Sequence, residues 1–178
     1  MMRVLRSLLS AFVIFAVACS GPGATQAPGP EGPVYKDLGI TLPDLYEDDF
    51  SIVSRTPRDL HVLAFWRVWC PKCQEELKVL GDMWKRMKPK GVNVYAISAD
   101  GPDTSSAVPG WVQQEGYEFP VLLDRSSEVF SQYNPKGGLP FWAVLDADGT
   151  VLLTHHGYVK GDVEWLEGFL EKQLAASP

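Results

Sequence analysis

The chain's clearest hydrophobic signal is the run at residues 62–69, nearly all apolar, as a strand covered on both faces requires. It is followed by apolar groups at Leu77, Leu80, Trp84 and Met87, the stripe of a helix lying on a core. Pro71 suits the first position of that helix and leaves Cys70 as its cap. A second buried strand is predicted over 92–98, after Gly91 closes the helical region. A polar loop over 100–106 leads to a short helix near 111–115, with Pro109 tolerated only in a first turn. Residues 121–123 read as a strand, and Ser126 or Ser127 caps a helix reaching Tyr133. Runs at 141–145 and 151–155 flank Asp146-Ala147-Asp148-Gly149, a hairpin turn signal. The last helix, 163–174, has Asp162 as cap and Leu166, Phe169, Leu170 and Leu174 on one face. Ahead of the main run, 40–45 and 51–53 read as short edge strands around a solvated turn at Glu47-Asp48-Asp49.

Strands alternating with helices, then a hairpin, predict an α/β fold. Right-handed crossovers put helices on both faces of a central sheet, and the hairpin makes that sheet mixed, a three-layer sandwich. With 178 residues, 46% of them hydrophobic, the chain can build one compact domain, assigned to 34–178. The formal charge of -6 and a pI near 5.0, with no basic cluster beyond the N-terminus, exclude nucleic-acid binding on electrostatic grounds.

Residues 1–18 read as an export signal: Arg3 and Arg6 supply the charged start, and an apolar stretch too short for a bilayer span follows. Its removal takes the net charge from -6 to -8. Ala16-Val17-Ala18 before Cys19 fits an ordinary cleavage site and also a bacterial lipoprotein signal, in which Cys19 becomes the lipidated first residue. Ala16 departs from the leucine usual in the latter. Residues 20–33, rich in Gly, Pro, Ala and Ser with one charge, cannot bury enough surface to fold and read with Cys19 as a tether, 19–33. A tether serves a domain fixed to a membrane, which favours lipidation at Cys19; the alternative is a soluble secreted protein. Either way the domain is expected outside the cytoplasm, where disulfides persist.

The candidate chemistry is Trp69-Cys70-Pro71-Lys72-Cys73. Two thiols at this spacing on a strand-to-helix turn can exchange one disulfide for another. The positive end of the helix and Lys72 favour a thiolate at Cys70, and Cys73 lies where it can resolve a mixed disulfide. The competing reading is half of a zinc site, but no cysteine follows Cys73 to complete one. His61, His155 and His156 lie far from the motif and read as strand-end or surface residues, so no metal and no cofactor is assigned.

Three features together resemble the thioredoxin fold, and within it the membrane-anchored thiol-disulfide oxidoreductases of the TlpA/ResA type, related to the AhpC/TSA superfamily. They are Phe65-Trp66-x-x-Trp69-Cys70-x-x-Cys73, Gly138-Leu139-Pro140, and the hairpin ending Asp146-x-Asp148-Gly149; the likeness covers about residues 42–174. The resemblance implies a redox disulfide Cys70–Cys73 and a cis Pro140 facing it. It also implies a substrate groove of Trp69, Pro71, Lys72, Leu139 and Pro140. Leu139 offers no side-chain hydrogen bond to the thiolate. Glu76 matches an acidic residue that this group carries three positions after the second cysteine, where it moves a proton to or from the buried thiol; the plain alternative is a surface glutamate like Glu75. Two departures stand out: Ala64 replaces the buried aspartate of ordinary thioredoxins, and Leu77 replaces a proline common in this group.

The expected function is reduction of protein disulfides, with disulfide-containing proteins as substrates, a membrane thiol donor as partner, and cytochrome c maturation as a setting that the family implies. Pro71-Lys72 between the cysteines differs from the Gly-Pro of reducing thioredoxins, so an oxidase running the same steps backwards stays open, as does a copper metallochaperone. A peroxidase is disfavoured, because peroxiredoxins need a hydroxyl residue and a proline where Arg67 and Leu63 stand.

Overall fold

A computed structural model describes residues 34–176. The expectations for residues 1–33, the export signal, Cys19 and the tether, lie outside the described residues. Five strands form the central sheet in the order β5-β4-β3-β6-β7: β3 (Leu60–Trp66), β4 (Val92–Ser98), β5 (Val121–Leu123), β6 (Phe141–Leu145) and β7 (Val151–His156). β3, β4 and β5 are parallel, β6 pairs antiparallel with β3, and β7 pairs antiparallel with β6, which is the mixed sheet the hairpin requires.

The two early strands do not extend this sheet. β1 (Lys36–Pro43) and β2 (Asp49–Ser54) pair with each other as a separate antiparallel ribbon, touching the main sheet through one bridge, Asp44 to Leu122. The ribbon works as a lid: Ile40, Leu42 and Ile52 pack on Leu63, Phe65, Tyr95 and Ile97 on one face of the sheet, where α3 (Glu128–Tyr133) adds Phe130.

The opposite face carries α1 (Pro71–Met87), α2 (Val108–Glu115) and α4 (Asp162–Ala176). Leu77, Leu80, Trp84 and Met87 are buried as their spacing predicts, joined by Met83. On α4 the buried positions are Val163, Leu166, Leu170 and Leu174, with Phe169 half-buried beside them. Each such side chain taken out of water contributes about 1.5–3 kcal/mol, which makes this face the anchor of α1 and of the cysteines at its start.

Three local differences have clear causes. β3 ends at Trp66 rather than Trp69, because the next residues turn off to make hydrogen bonds described below. α2 begins at Val108, three residues earlier than expected, with Pro109 in its first turn. Ser127 does occupy the cap position of α3, but its side chain caps nothing; Asp124 accepts the N–H groups of Glu128 and Phe130 at 3.0 and 2.7 Å instead.

His61 corrects the surface assignment most sharply. It is fully buried at the end of β3 far from Cys70, with Nε2 2.9 Å from Ser54 Oγ. The Ser54 hydroxyl donates to the Ala147 carbonyl at 2.7 Å, so it must accept from His61 Nε2–H, and Nδ1 is left without a partner. Burial holds the His61 pKa down at about 4.

Candidate functional site

The cysteines owe their position to the loop between β3 and α1. Val68 is held from both sides: its N–H donates to Asp100 Oδ2 at 2.9 Å, and its carbonyl accepts from Gln74 Nε2 at 2.7 Å. Arg67 Nε donates to the Ala99 carbonyl at 2.7 Å, so this loop is sewn to the end of β4. Cys70 then takes the cap position in extended backbone, Pro71 starts the helix, and Cys70 Sγ accepts the Cys73 N–H at 3.2 Å. A proline and a cap acceptor at these positions fix where α1 begins.

Cys70 and Cys73 form a disulfide, S–S 2.05 Å. The two sulfurs are not equivalent. Cys70 is 7% exposed and Cys73 is sealed at 0%, so only Cys70 meets solvent.

Glu76 lies one turn further, on the buried side of α1, and only 1% of it is exposed. The Glu75 beside it is a surface residue; Glu76 is not. Burial pushes the Glu76 pKa up to about 8, and the negative charge of Asp162 adds to the shift. The Trp142 indole N–H opposes the rise, by more than the Asp162 charge adds to it, although neither Trp142 Nε1 nor Glu76 Oε1 completes a hydrogen bond. A carboxyl in this state takes up and releases a proton near neutral pH, one helical turn from Cys73.

The third component is the loop before β6. Phe65 pairs with Phe141, so Pro140 falls at the same end of the sheet as the loop that leads to Cys70. The Leu139–Pro140 peptide bond is cis, the geometry the resemblance implies. Gly137 and Gly138 approach it with φ of +69° and +96°, a left-handed path that glycine takes without cost. Asn134 Nδ2 donates to the Gly138 carbonyl at 2.9 Å, and Gly157 N–H donates to the Pro140 carbonyl at 2.8 Å. The N–H and carbonyl of Leu139 make no hydrogen bond among the described residues.

Next to Cys70 in the chain stands an exposed aromatic side chain. Trp69 is 59% exposed under the Arg67 guanidinium, 5.5 Å from its ring centroid, and Val159 is also exposed. Lys72 does not act as a free cation: its Nζ pairs with Glu75 at 2.8 Å in solvent. Every predicted site residue within the described chain therefore lies at this end of the sheet, and Cys19 lies outside it. Reasoning from sequence missed Asp100, Gln74 and Asn134 as braces and the pair His155–Asp162. A buried acid in an expected polar loop and a histidine opposite Trp142 were their only signals. Among the described residues no three His, Cys, Asp or Glu side chains gather as a metal site, and no helix is long and apolar enough to cross a membrane.

A helix-capping disulfide and a cis-proline at the same end of a mixed sheet, with helices on both sides, define an oxidoreductase of the thioredoxin-like fold. Residues 38–154 match the AhpC/TSA family, and the chain belongs to it. It is 30% identical over 170 residues to the thiol-disulfide oxidoreductase ResA of Bacillus cereus, covering 93% of this chain and 95% of that one. Against ResA of Bacillus anthracis the identity is 36% over 110 residues, 62% of this chain and 61% of the relative. Among solved structures, a candidate thiol:disulfide interchange protein DsbE from Chlorobium tepidum superposes with a TM-score of 0.66 at 25% identity, covering 82% of this chain and 98% of its own. StoA from Bacillus subtilis superposes at 0.60 and 20% identity, over 73% and 94%, a likeness of fold. The enzyme is thus a thiol-disulfide oxidoreductase.

Proposed function

We propose that this oxidoreductase reduces protein disulfides outside the cytoplasm. The observation that carries the reading is the unequal pair of sulfurs, Cys70 open at a helix start and Cys73 sealed beside a protonatable Glu76. In the reduced enzyme the helix N-terminus favours the Cys70 thiolate. Cys70 attacks a substrate disulfide, forming a mixed disulfide and expelling one substrate thiolate, which takes a proton. Cys73 gives its proton to the Glu76 carboxylate, and its thiolate attacks Cys70 Sγ. The Cys70–Cys73 disulfide forms, the second substrate thiolate leaves, and two electrons have passed to the substrate. A dithiol donor at the membrane restores the enzyme by the same exchange in reverse.

The unpaired backbone of Leu139 and the exposed face of Trp69 suit an extended segment of substrate, with Pro71, Lys72 and Pro140 lining the approach. The reducing direction is favoured because Glu75 offsets Lys72, the one full positive charge in the motif that would stabilise the dithiol form and make the couple more oxidising. Export and anchoring rest on residues 1–33: a signal, then Cys19 as lipid attachment, then the tether.

The test is a Cys73→Ser variant expressed with its own leader, which traps partners on Cys70. Mixed disulfides with exported proteins are the expected result, and the Cys70–Cys73 couple of the unmodified enzyme is expected to have a reduction potential of about -270 mV. A potential near about -120 mV assigns the oxidising direction instead, and full activity in Cys70→Ser ends the reading.

A further inference from the structure

Ala64, Trp142 and His155 stand in one cross-strand row on β3, β6 and β7. Ala64 contributes only a methyl group, and the fully buried Trp142 indole packs in the core below α1 and α4. His155 stacks on that indole, ring centroids 4.8 Å apart at 21°. Its Nε2 lies 3.0 Å from Asp162 Oδ2, which also accepts the Val159 N–H at 2.7 Å. The side chains of His155 and Asp162 keep 27% and 16% exposure, whereas Glu76, near enough to feel both Trp142 and the Asp162 charge, keeps 1%, so the pair lies at the rim and Glu76 inside. The unanswered polar atoms of the cluster, Trp142 Nε1 and Glu76 Oε1, lie at its inner end.

Few other charges reach Glu76. From α4 there is Asp162, and from the segment between β7 and α4 the Tyr158 hydroxyl. On its own helix Cys70 and Cys73 are neutral as the disulfide, and Lys72 and Glu75 pair with each other in solvent. β3 offers Ala64 and β6 the Trp142 N–H.

We propose that the His155–Asp162 pair is the outer control on Glu76: the Asp162 carboxylate opposes loss of the Glu76 proton while His155 is neutral, and a proton on His155 cancels that opposition. The reasoning is electrostatic. A carboxylate paired with neutral imidazole keeps its full negative charge, whereas a carboxylate–imidazolium pair is neutral as a unit, and the difference is felt strongly across a water-excluding core. Neither residue touches sulfur, so both are positioning residues for the proton step. The inference rests on the reading of Glu76 as the proton relay.

The test follows the carboxyl carbon of Glu76 by NMR in carbon-13-glutamate protein, titrated in the oxidised full domain with its tether. Asp162→Asn removes the charge. His155→Arg keeps Asp162 and its cap, supplies a permanent cation, and can still stack on Trp142. Both are expected to move the Glu76 midpoint to lower pH by about half a unit or more, and the double variant, whose new cation has lost its counter-charge, moves it further. The pH profile for resolution of a mixed disulfide by Cys73 shifts the same way, and does not shift when either change is made in Glu76→Gln. A midpoint unmoved in both variants overturns the proposal, and so does a profile shift that persists in Glu76→Gln. A moved midpoint with an unmoved profile supports the coupling while overturning the relay role of Glu76.

Discussion

Asp100, at the end of the strand neighbouring β3, accepts the backbone N–H of Val68 at 2.9 Å, across 32 residues of sequence. Its other bonds are internal to its own segment, from the Ser98 hydroxyl at 3.0 Å and the Thr104 hydroxyl at 2.8 Å. One fully buried carboxylate thus fixes the loop that delivers Cys70. Asp100→Ala leaves the Val68 N–H unanswered. It is expected to destabilise the fold by about 1–3 kcal/mol in urea unfolding and to slow disulfide exchange, while Gln74→Ala, which frees only a carbonyl, does less.

Glu76 makes stability depend on pH in a defined direction. Its folded pKa of about 8 stands above the ordinary 4.5, so the folded chain keeps a proton that the unfolded chain releases between those values. Stability from this group is complete below pH 4.5 and is lost as pH rises to 8. Glu76→Gln removes that loss: at pH 8 the variant unfolds at higher urea than wild type, by a few kcal/mol at most, while turning over substrate at least about 100-fold more slowly. Equal urea midpoints at pH 8 would contradict the buried-acid assignment.

His61 acts on the other flank. Its folded pKa of about 4 lies below the ordinary 6.5, so the unfolded chain binds a proton that the folded chain refuses. Stability is complete above pH 6.5 and falls as the pH drops toward 4. His61→Leu keeps the Ser54 donation to Ala147 and abolishes the proton. Between pH 6.5 and 4.5 this variant is expected to lose less stability than wild type, measured by chemical unfolding at each pH.

The Asn134 side chain braces the loop before Pro140 through its bond to the Gly138 carbonyl, beside the backbone bond from the Gly137 N–H to the Asn134 carbonyl. Asn134→Ala is expected to cost about 1 kcal/mol and to raise KM for a protein disulfide more than it lowers kcat, because the segment it loosens lies beside the disulfide rather than on it.

Local signals carried the elements well. The stripe on α1, the hairpin around Asp146 to Gly149, and the bounds of β4, β5 and β6 follow from periodicity and turn chemistry within a few residues. What depended on distant partners was hidden. The β1–β2 ribbon reads the same whether it borders the sheet or lies over it, since both bury alternate residues. His61 is at a strand end, as read, but its burial was hidden because its partner Ser54 and the Ala147 carbonyl behind it come from separate segments of chain. The cysteines were legible from their spacing, whereas the depth of Glu76 was decided by distant segments that pack against α1, among them Trp142.

The sealing of Cys73 has an organisational consequence. With one sulfur reachable, whichever molecule hands over electrons and whichever receives them must call at the same address, in turn. The protein works as a single berth: while one partner is docked the other waits, and throughput is set by how quickly each visitor departs.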